Sequence, residues 1–354
     1  MGSGNLRRPQ RVGIPMLRAV SAPVLLAFVC ALMAGPVATA QGAGGSTYAV
    51  VITGLGGDSD YEKMIDGWGK DLHAALDKSG IGKDHLFWLA AKKQDGVYAE
   101  ATHEQITRLL ETLASRLKPE DVFELFLMGH GSYDDYDYRF NIPGQDLTAG
   151  HLAELLSRIQ CERQLVVNMT SASGASVAPL QKKGRVLITS TSAGQERNFS
   201  VFARYFVAAI QETDADTDKN EEISALETFR YATREVTRYY ETQKRLATEH
   251  PMIEDRGEGN GAREATAENG QGLLAGALAV RRLGGQQSAL DTPEVRELRA
   301  RKRQIEESIE RLKYNKASMD TDQYFQQLEK LLVDLSQLQQ RLDGLEKQAP
   351  PAQR

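Results

Sequence analysis

The sequence is short of cysteine. Of its two, Cys30 falls in an apolar run near the N-terminus and only Cys161 lies in the body of the chain. A lone cysteine makes no intramolecular disulfide, so the fold must stand on its core. Aromatic residues are only 7% of the 354, and neither sign of charge is in large excess: 43 lysines and arginines face 48 aspartates and glutamates, a net −5. That balance excludes a nucleic-acid binder held by phosphate neutralisation. Long apolar runs are missing too, apart from one at the N-terminus, so no membrane span is expected in the mature chain. What is plentiful is core material. With 41% hydrophobic and 26% charged residues, the chain can bury at least one full-sized core, which excludes a wholly disordered chain or a mini-protein.

The N-terminal exception has the pattern of a secretory signal. Arg7, Arg8, Arg11 and Arg18 are its only charges, an apolar run from Ala19 to Met33 follows, and Ala38-Thr39-Ala40 supplies a small-residue cleavage site. Met16 is an alternative start. The residues before Cys30 lack the small side chain a lipoprotein signal carries there. Cleavage after Ala40 removes four arginines and no acids, taking the net charge from −5 to −9. The expectation is an exported protein, periplasmic or extracellular.

Beyond a Gly-rich linker (41–46), strand and helix signals alternate. Tyr48 to Thr53 is a continuous apolar run ending in Gly54-Leu55-Gly56-Gly57, as in a strand buried on both faces. A helix is expected from Asp58 to Lys78, a strand from Asp84 to Ala90, and a capped helix from Thr102 to Leu117. Val122 to Met128, Leu165 to Met169 and Arg185 to Ser190 are further strands, with a helix near Thr148 to Ile159. Strands separated by helices imply crossovers, hence an α/β fold: a three-layer αβα sandwich on a mostly parallel sheet, spanning 47–283.

After a linker (284–291), the segment 292–347 has a different character. Thr292-Pro293-Glu294 opens a helix carrying Val295, Leu298, Ile305, Ile309 and Leu312 on one stripe. A second helix repeats Tyr324, Leu328, Leu331, Leu335, Leu338, Leu342 and Leu345 at heptad spacing. The two predict an antiparallel α-helical coiled-coil hairpin, suited to self-association, before a short tail (348–354).

Ligands of parallel α/β sheets bind beyond the carboxyl ends of the strands. Two small-residue turns fall there. One strand runs into Gly129-His130-Gly131-Ser132 and the next into Thr170-Ser171-Ala172-Ser173-Gly174. An imidazole between glycines is open to approach and titrates near neutrality, as a general base should. The same small residues also suit a helix that begins close to a sheet, with hydroxyls capping it.

These turns resemble the caspase and legumain superfamily (peptidase C13-like), whose members place a histidine in an H-G pair after one strand and a nucleophilic cysteine after the next. The resemblance puts His130 on the base and Ser171 on the nucleophile, with Gly129, Gly131, Thr170, Ser173 and Gly174 lining the pocket. It covers about Thr47 to Ile210 and implies the caspase/legumain-like αβα sandwich. The departure is chemical. A hydroxyl near the pKa of about 15.7 of water is far harder to ionise than a thiol near about 8.5, and the glutamate that follows the legumain cysteine is replaced by Ala172. Cys161 stands before the strand, badly placed to substitute. The expectation is a catalytically degenerate peptidase homologue, a pseudoenzyme binding a peptide or protein ligand. The alternative is a hydrolase using Ser171, or Ser173, with His130 and backbone N–H groups near Gly131 as oxyanion hole. A third reading is an envelope protein in which only the hairpin matters.

Asp216 to Glu227 fits the twelve-residue EF-hand loop. Asp216, Asp218, Asn220, Glu222 and Glu227 are the candidate ligands for a structural Ca²⁺, Ile223 takes the hydrophobic position, and Glu221 stands where the motif wants glycine. Asp214 offers a shifted frame, and a solvated acidic turn is the alternative. Tyr133 to Tyr138 could shape a pocket for a cation or form a solvated loop. The stretch containing Glu249, His250, Asp255, Glu258 and Asn260 is a metal-binding, pocket-lining or plain loop. Asn198-Phe199-Ser200 has the form of a glycosylation sequon.

Overall fold

The computed structural model describes residues 45–283, 292–316 and 319–347. The signal segment, most of the first linker, the second linker and the tail expected from the sequence lie outside the described residues.

β1 (Thr47–Thr53) leads into α1 (Ser59–Lys78), which Asp58 opens by accepting the Asp60 N–H at 2.8 Å. β2 (Leu86–Ala90) and the two-residue β3 (Ala99–Glu100) follow. Thr102 caps α2 (His103–Arg116), taking the Gln105 N–H at 3.3 Å, and β4 (Val122–Gly129) comes next. A small sheet of β5 (Gly131–Tyr133), β6 (Tyr138–Phe140) and β7 (Leu147–Thr148) precedes α3 (Ala149–Ser157) and β8 (Arg163–Thr170). Then come α4 (Val177–Leu180), β9 (Arg185–Thr189) and α5 (Phe202–Gln211). β10 (Glu222–Ser224) enters α6 (Ala225–Thr242) through a capping box of Ser224 and Glu227. β11 (Met252–Glu254), α7 (Leu273–Gly276), β12 (Ala279–Arg282), α8 (Pro293–Tyr314) and α9 (Thr321–Lys347) complete the order.

The main sheet runs β11-β9-β8-β4-β1-β2-β3, parallel except for β11, which pairs antiparallel with β9. Because successive side chains of a strand point to opposite faces, each strand feeds two cores. Ala49 and Val51 of β1 join Leu72 and Leu76 of α1 and Phe202 and Phe206 of α5. Val50 and Ile52 join Ile106 and Leu110 of α2 and Leu152 and Leu156 of α3. Each fully buried side chain of this size contributes about 1.5–3 kcal/mol relative to exposure. The result is the three-layer αβα sandwich expected from the alternating pattern.

From β1 the chain steps one way to β2 and β3, then returns to the other side of β1 for β4, β8 and β9. The order therefore reverses between β1 and β4, where open parallel sheets form their ligand crevice. In α8 and α9, Val295 and Leu298 pack with Leu342, and Arg341 reaches Glu294 at 2.7 Å, so the two helices run antiparallel.

Candidate functional site at the ends of β4 and β8

The last residues of β4 and β8 are paired, Gly129 opposite Thr170, so the turns that follow emerge side by side. Two glycines make the close approach feasible. Gly129 has φ +147°, and a Cβ at Gly131 would stand 2.3 Å from the Ser171 carbonyl oxygen. Between them the His130 N–H donates to the Leu55 carbonyl at 2.7 Å and its carbonyl accepts the Asn141 N–H at 3.0 Å. The histidine backbone is thus fixed between the exit of β1 and β6.

The structure brings Ser171 to His130, with Oγ 2.8 Å from Nδ1. Two more bonds hold that oxygen. The Gly131 N–H donates to it at 3.1 Å, and the hydroxyl faces the Gly131 carbonyl at 3.0 Å. A hydroxyl has one proton and two lone pairs. With the proton on the Gly131 carbonyl, Gly131 N–H and a protonated Nδ1 fill both lone pairs, leaving none to attack. With the hydroxyl proton pointing instead at an unprotonated Nδ1, one lone pair remains. Ser171 is 1% exposed. Burial lowers the pKa of His130, partly countered by the charge of Asp146, which favours the neutral ring.

Ser173 is turned elsewhere. Its hydroxyl lies 3.1 Å from those of Ser190 and Thr191 and accepts the Thr191 N–H, knitting the turn to the end of β9. Thr170 Oγ1 is 2.6 Å from Tyr138 Oη and donates to Asn168 at 2.8 Å, so it braces the floor of the site. Gly174 N–H donates to Thr191 Oγ1 at 2.9 Å, and a Cβ there would meet the Ala193 nitrogen at 2.3 Å. Ala172, in the left-handed region at φ +56°, gives its N–H to the Glu196 carbonyl at 2.8 Å. The Glu196 carboxylate in turn accepts from Ser192 Oγ at 2.6 Å and lies 2.8 Å from His250 Nδ1. Sequence reasoning misses this brace. Asn141 and Asp146 are likewise unforeseen: Asn141 bridges Ser132 and Asp146 beside His130.

Other candidates prove to be structural. Cys161 is buried ahead of β8, at the opposite end of that strand from Ser171, and burial pushes its thiol up to about 11. Asp134 accepts the Tyr136 and Asp137 N–H groups and pairs with Arg139 at 2.6 Å; the backbone bonds and the arginine hold its carboxyl down to about 2. Glu249, 2% exposed, receives Val201 N–H at 2.9 Å and Phe202 N–H at 3.2 Å at the start of α5, and also bonds Ser200 and Tyr240. Asp255 does the same for α7 through Gly272 and Ala275. Glu258 pairs with Arg256, and the Asn260 carbonyl accepts from Gln271.

In the acidic loop, oxygens of Asp216, Asp218 and Glu227 lie within 4.8 Å of one another. Lys219 and Glu221 have φ +59° and +66°, the left-handed conformation that the glycine position of an EF-hand demands. Glu227 accepts Thr217 N–H at 2.8 Å on one oxygen and Ser224 N–H at 2.9 Å on the other. Asn220 donates to Asp218 at 3.3 Å. The Glu222 carboxylate turns away to Arg282 at 2.8 Å; that motif position supplies its backbone carbonyl, so the donor set still suits a hard cation.

No curated protein matches the chain. Residues 104–249, which contain both turns and the acidic loop, match the model of the Peptidase C13 family. With the parallel sheet, the two helical layers and His130 and Ser171 on neighbouring strand ends, the match supports a legumain/caspase-like C13 fold for this part of the chain.

Proposed function

We propose that the protein is an exported, catalytically degenerate member of its family that binds a peptide or protein ligand at the ends of β4 and β8 without cleaving it. One observation carries this reading: the Ser171 oxygen is held at once by Gly131 N–H, the Gly131 carbonyl and His130 Nδ1. The backbone N–H expected to stabilise an oxyanion is spent on the nucleophile's own oxygen. A cysteine sulfur, on a longer bond and a poorer acceptor, would not be held in the same way. Export rests on the N-terminal pattern of arginines, apolar run and Ala38-Thr39-Ala40. A structural calcium at Asp216, Asp218 and Glu227 completes the reading; it would take the place of N–H donors on these carboxylates and fix α5 against α6.

A second reading, an active hydrolase, is favoured by the 2.8 Å approach of Ser171 to His130. There, His130 would take the hydroxyl proton on Nδ1 as Ser171 attacks a carbonyl carbon. The tautomer separates the two. Nitrogen-15 NMR of His130 is expected to find the proton on Nδ1, and a proton on Nε2 alone would overturn the binding reading. Digestion of a peptide library by the chain from Gln41, beside Ser171→Ala and Ser171→Cys, is expected to show no cleavage by the first two. Cleavage lost only in the alanine variant would establish the hydrolase.

A further inference from the structure

Helix α9 carries more apolar surface than α8 covers. Along the seam toward α8, Tyr324 and Leu342 are buried, yet Leu328, Leu331, Leu335 and Leu338 remain half-buried. Beyond it, Phe325 is 54% exposed and Leu332 and Val333 are each 48% exposed. At about 100° per residue, Phe325, Leu328, Leu332, Leu335, Gln339 and Leu342 form a second stripe with the three-and-four spacing of a heptad. This stripe shares Leu328, Leu335 and Leu342 with the seam, so it continues the α8 interface around the helix. Together the two make an apolar arc of about 160°, wider than the stripe a single partner helix covers.

The chain's own remaining segments are poor covers. Residues 284–291 contain one large apolar side chain, Leu290, and 348–354 contain none, their apolar residues being two prolines and two alanines. The apolar run at the N-terminus is removed in the export reading. No helix among the described residues is long and apolar enough to cross a membrane. A surface that matches the stripe in length and spacing is the same stripe on another molecule.

We infer that α9 docks against α9 of a second copy of this chain, the two helix pairs forming a four-helix bundle with Phe325 and Leu332 inside. The inference is independent of the site at the ends of β4 and β8. Sedimentation equilibrium of the full mature chain, from micromolar to hundred-micromolar concentration, should find a reversible dimer. Phe325→Asp with Leu332→Asp should weaken it roughly a hundredfold or more, since charge would be buried in an apolar interface. The milder pair Phe325→Ser and Leu332→Gln should weaken it in the same direction, with helicity by circular dichroism unchanged in both. Gln337→Asp, on the outer face of α9, should have no effect. A monomer throughout, a dimer indifferent to the stripe variants, or equal weakening by Gln337→Asp would overturn the inference.

Discussion

Gly131 and Ser171 hold each other in a two-way contact: the Gly131 N–H donates to Ser171 Oγ at 3.1 Å and the hydroxyl lies 3.0 Å from the Gly131 carbonyl. The contact exists because residue 131 has no side chain. In Gly131→Ala the new methyl would stand 2.3 Å from the Ser171 carbonyl oxygen. Urea unfolding should show a loss of about 3 kcal/mol, the upper range for overpacking. An unchanged midpoint would mean that the two turns separate easily.

Ser171→Cys tests the same contact with different chemistry. Because residue 171 is only 1% exposed, the introduced thiol should react with iodoacetamide slowly, through opening of the two turns, and faster with His130 intact than in a His130→Ala background. Cys161, buried and with its thiol at about 11, should react only after denaturation. Labelling of Cys161 in the folded wild-type chain would contradict its place in the core.

Glu124, in the middle of the sheet on β4, is completely buried, and neither carboxylate oxygen has a hydrogen-bond partner. Burial lifts its carboxyl from 4.5 to about 8, with Arg282 opposing weakly. The folded state therefore favours the protonated acid. Its contribution is fully present below about pH 4.5 and is lost progressively as pH rises toward about 8, above which the carboxyl is ionised in both states. Glu124→Met should be more stable than wild type by a few kcal/mol at pH 8 and nearly equal to it at pH 4. Parallel stability curves for the two proteins would refute this.

Calcium should raise the melting temperature, equivalent to about 2.7 kcal/mol at a hundredfold excess over its dissociation constant, and a chelator should reverse it. Glu227→Gln should abolish the response and cost about 1 kcal/mol even without calcium, because Glu227 also completes the cap of α6. Glu221→Gly should relieve about 1 kcal/mol of left-handed strain. Identical melting of the wild type with calcium and with chelator would reject the site.

How much of this could be read in advance depended on whether the signal was local. The alternation of apolar runs and capped helices carries the three layers and the parallel sheet, because β1, β4 and β8 are buried on both faces and read as unbroken apolar segments. The glycines beside His130 and the small residues after β8 flag the two turns. Neither turn reveals that the Ser171 oxygen is spent on Gly131, which depends on a backbone approach of a few ångströms. Short strands such as β10 and β11 exist only through pairing with distant segments and leave no periodicity. The brace from Glu196 to His250 joins residues 54 apart in sequence and looks, in the chain, like an unrelated acid and a loop histidine.

Glu249 has a consequence for motion. One carboxylate holds Ser200, the first amides of α5 and the Tyr240 hydroxyl near the end of α6, positions 47 to 49 residues before it and 9 before it. The first turn of α5 cannot loosen without abandoning a buried carboxyl group, and the close of α6 loses the same partner at that moment. Amides at these two helix ends belong to one opening unit and should exchange with solvent at a common rate.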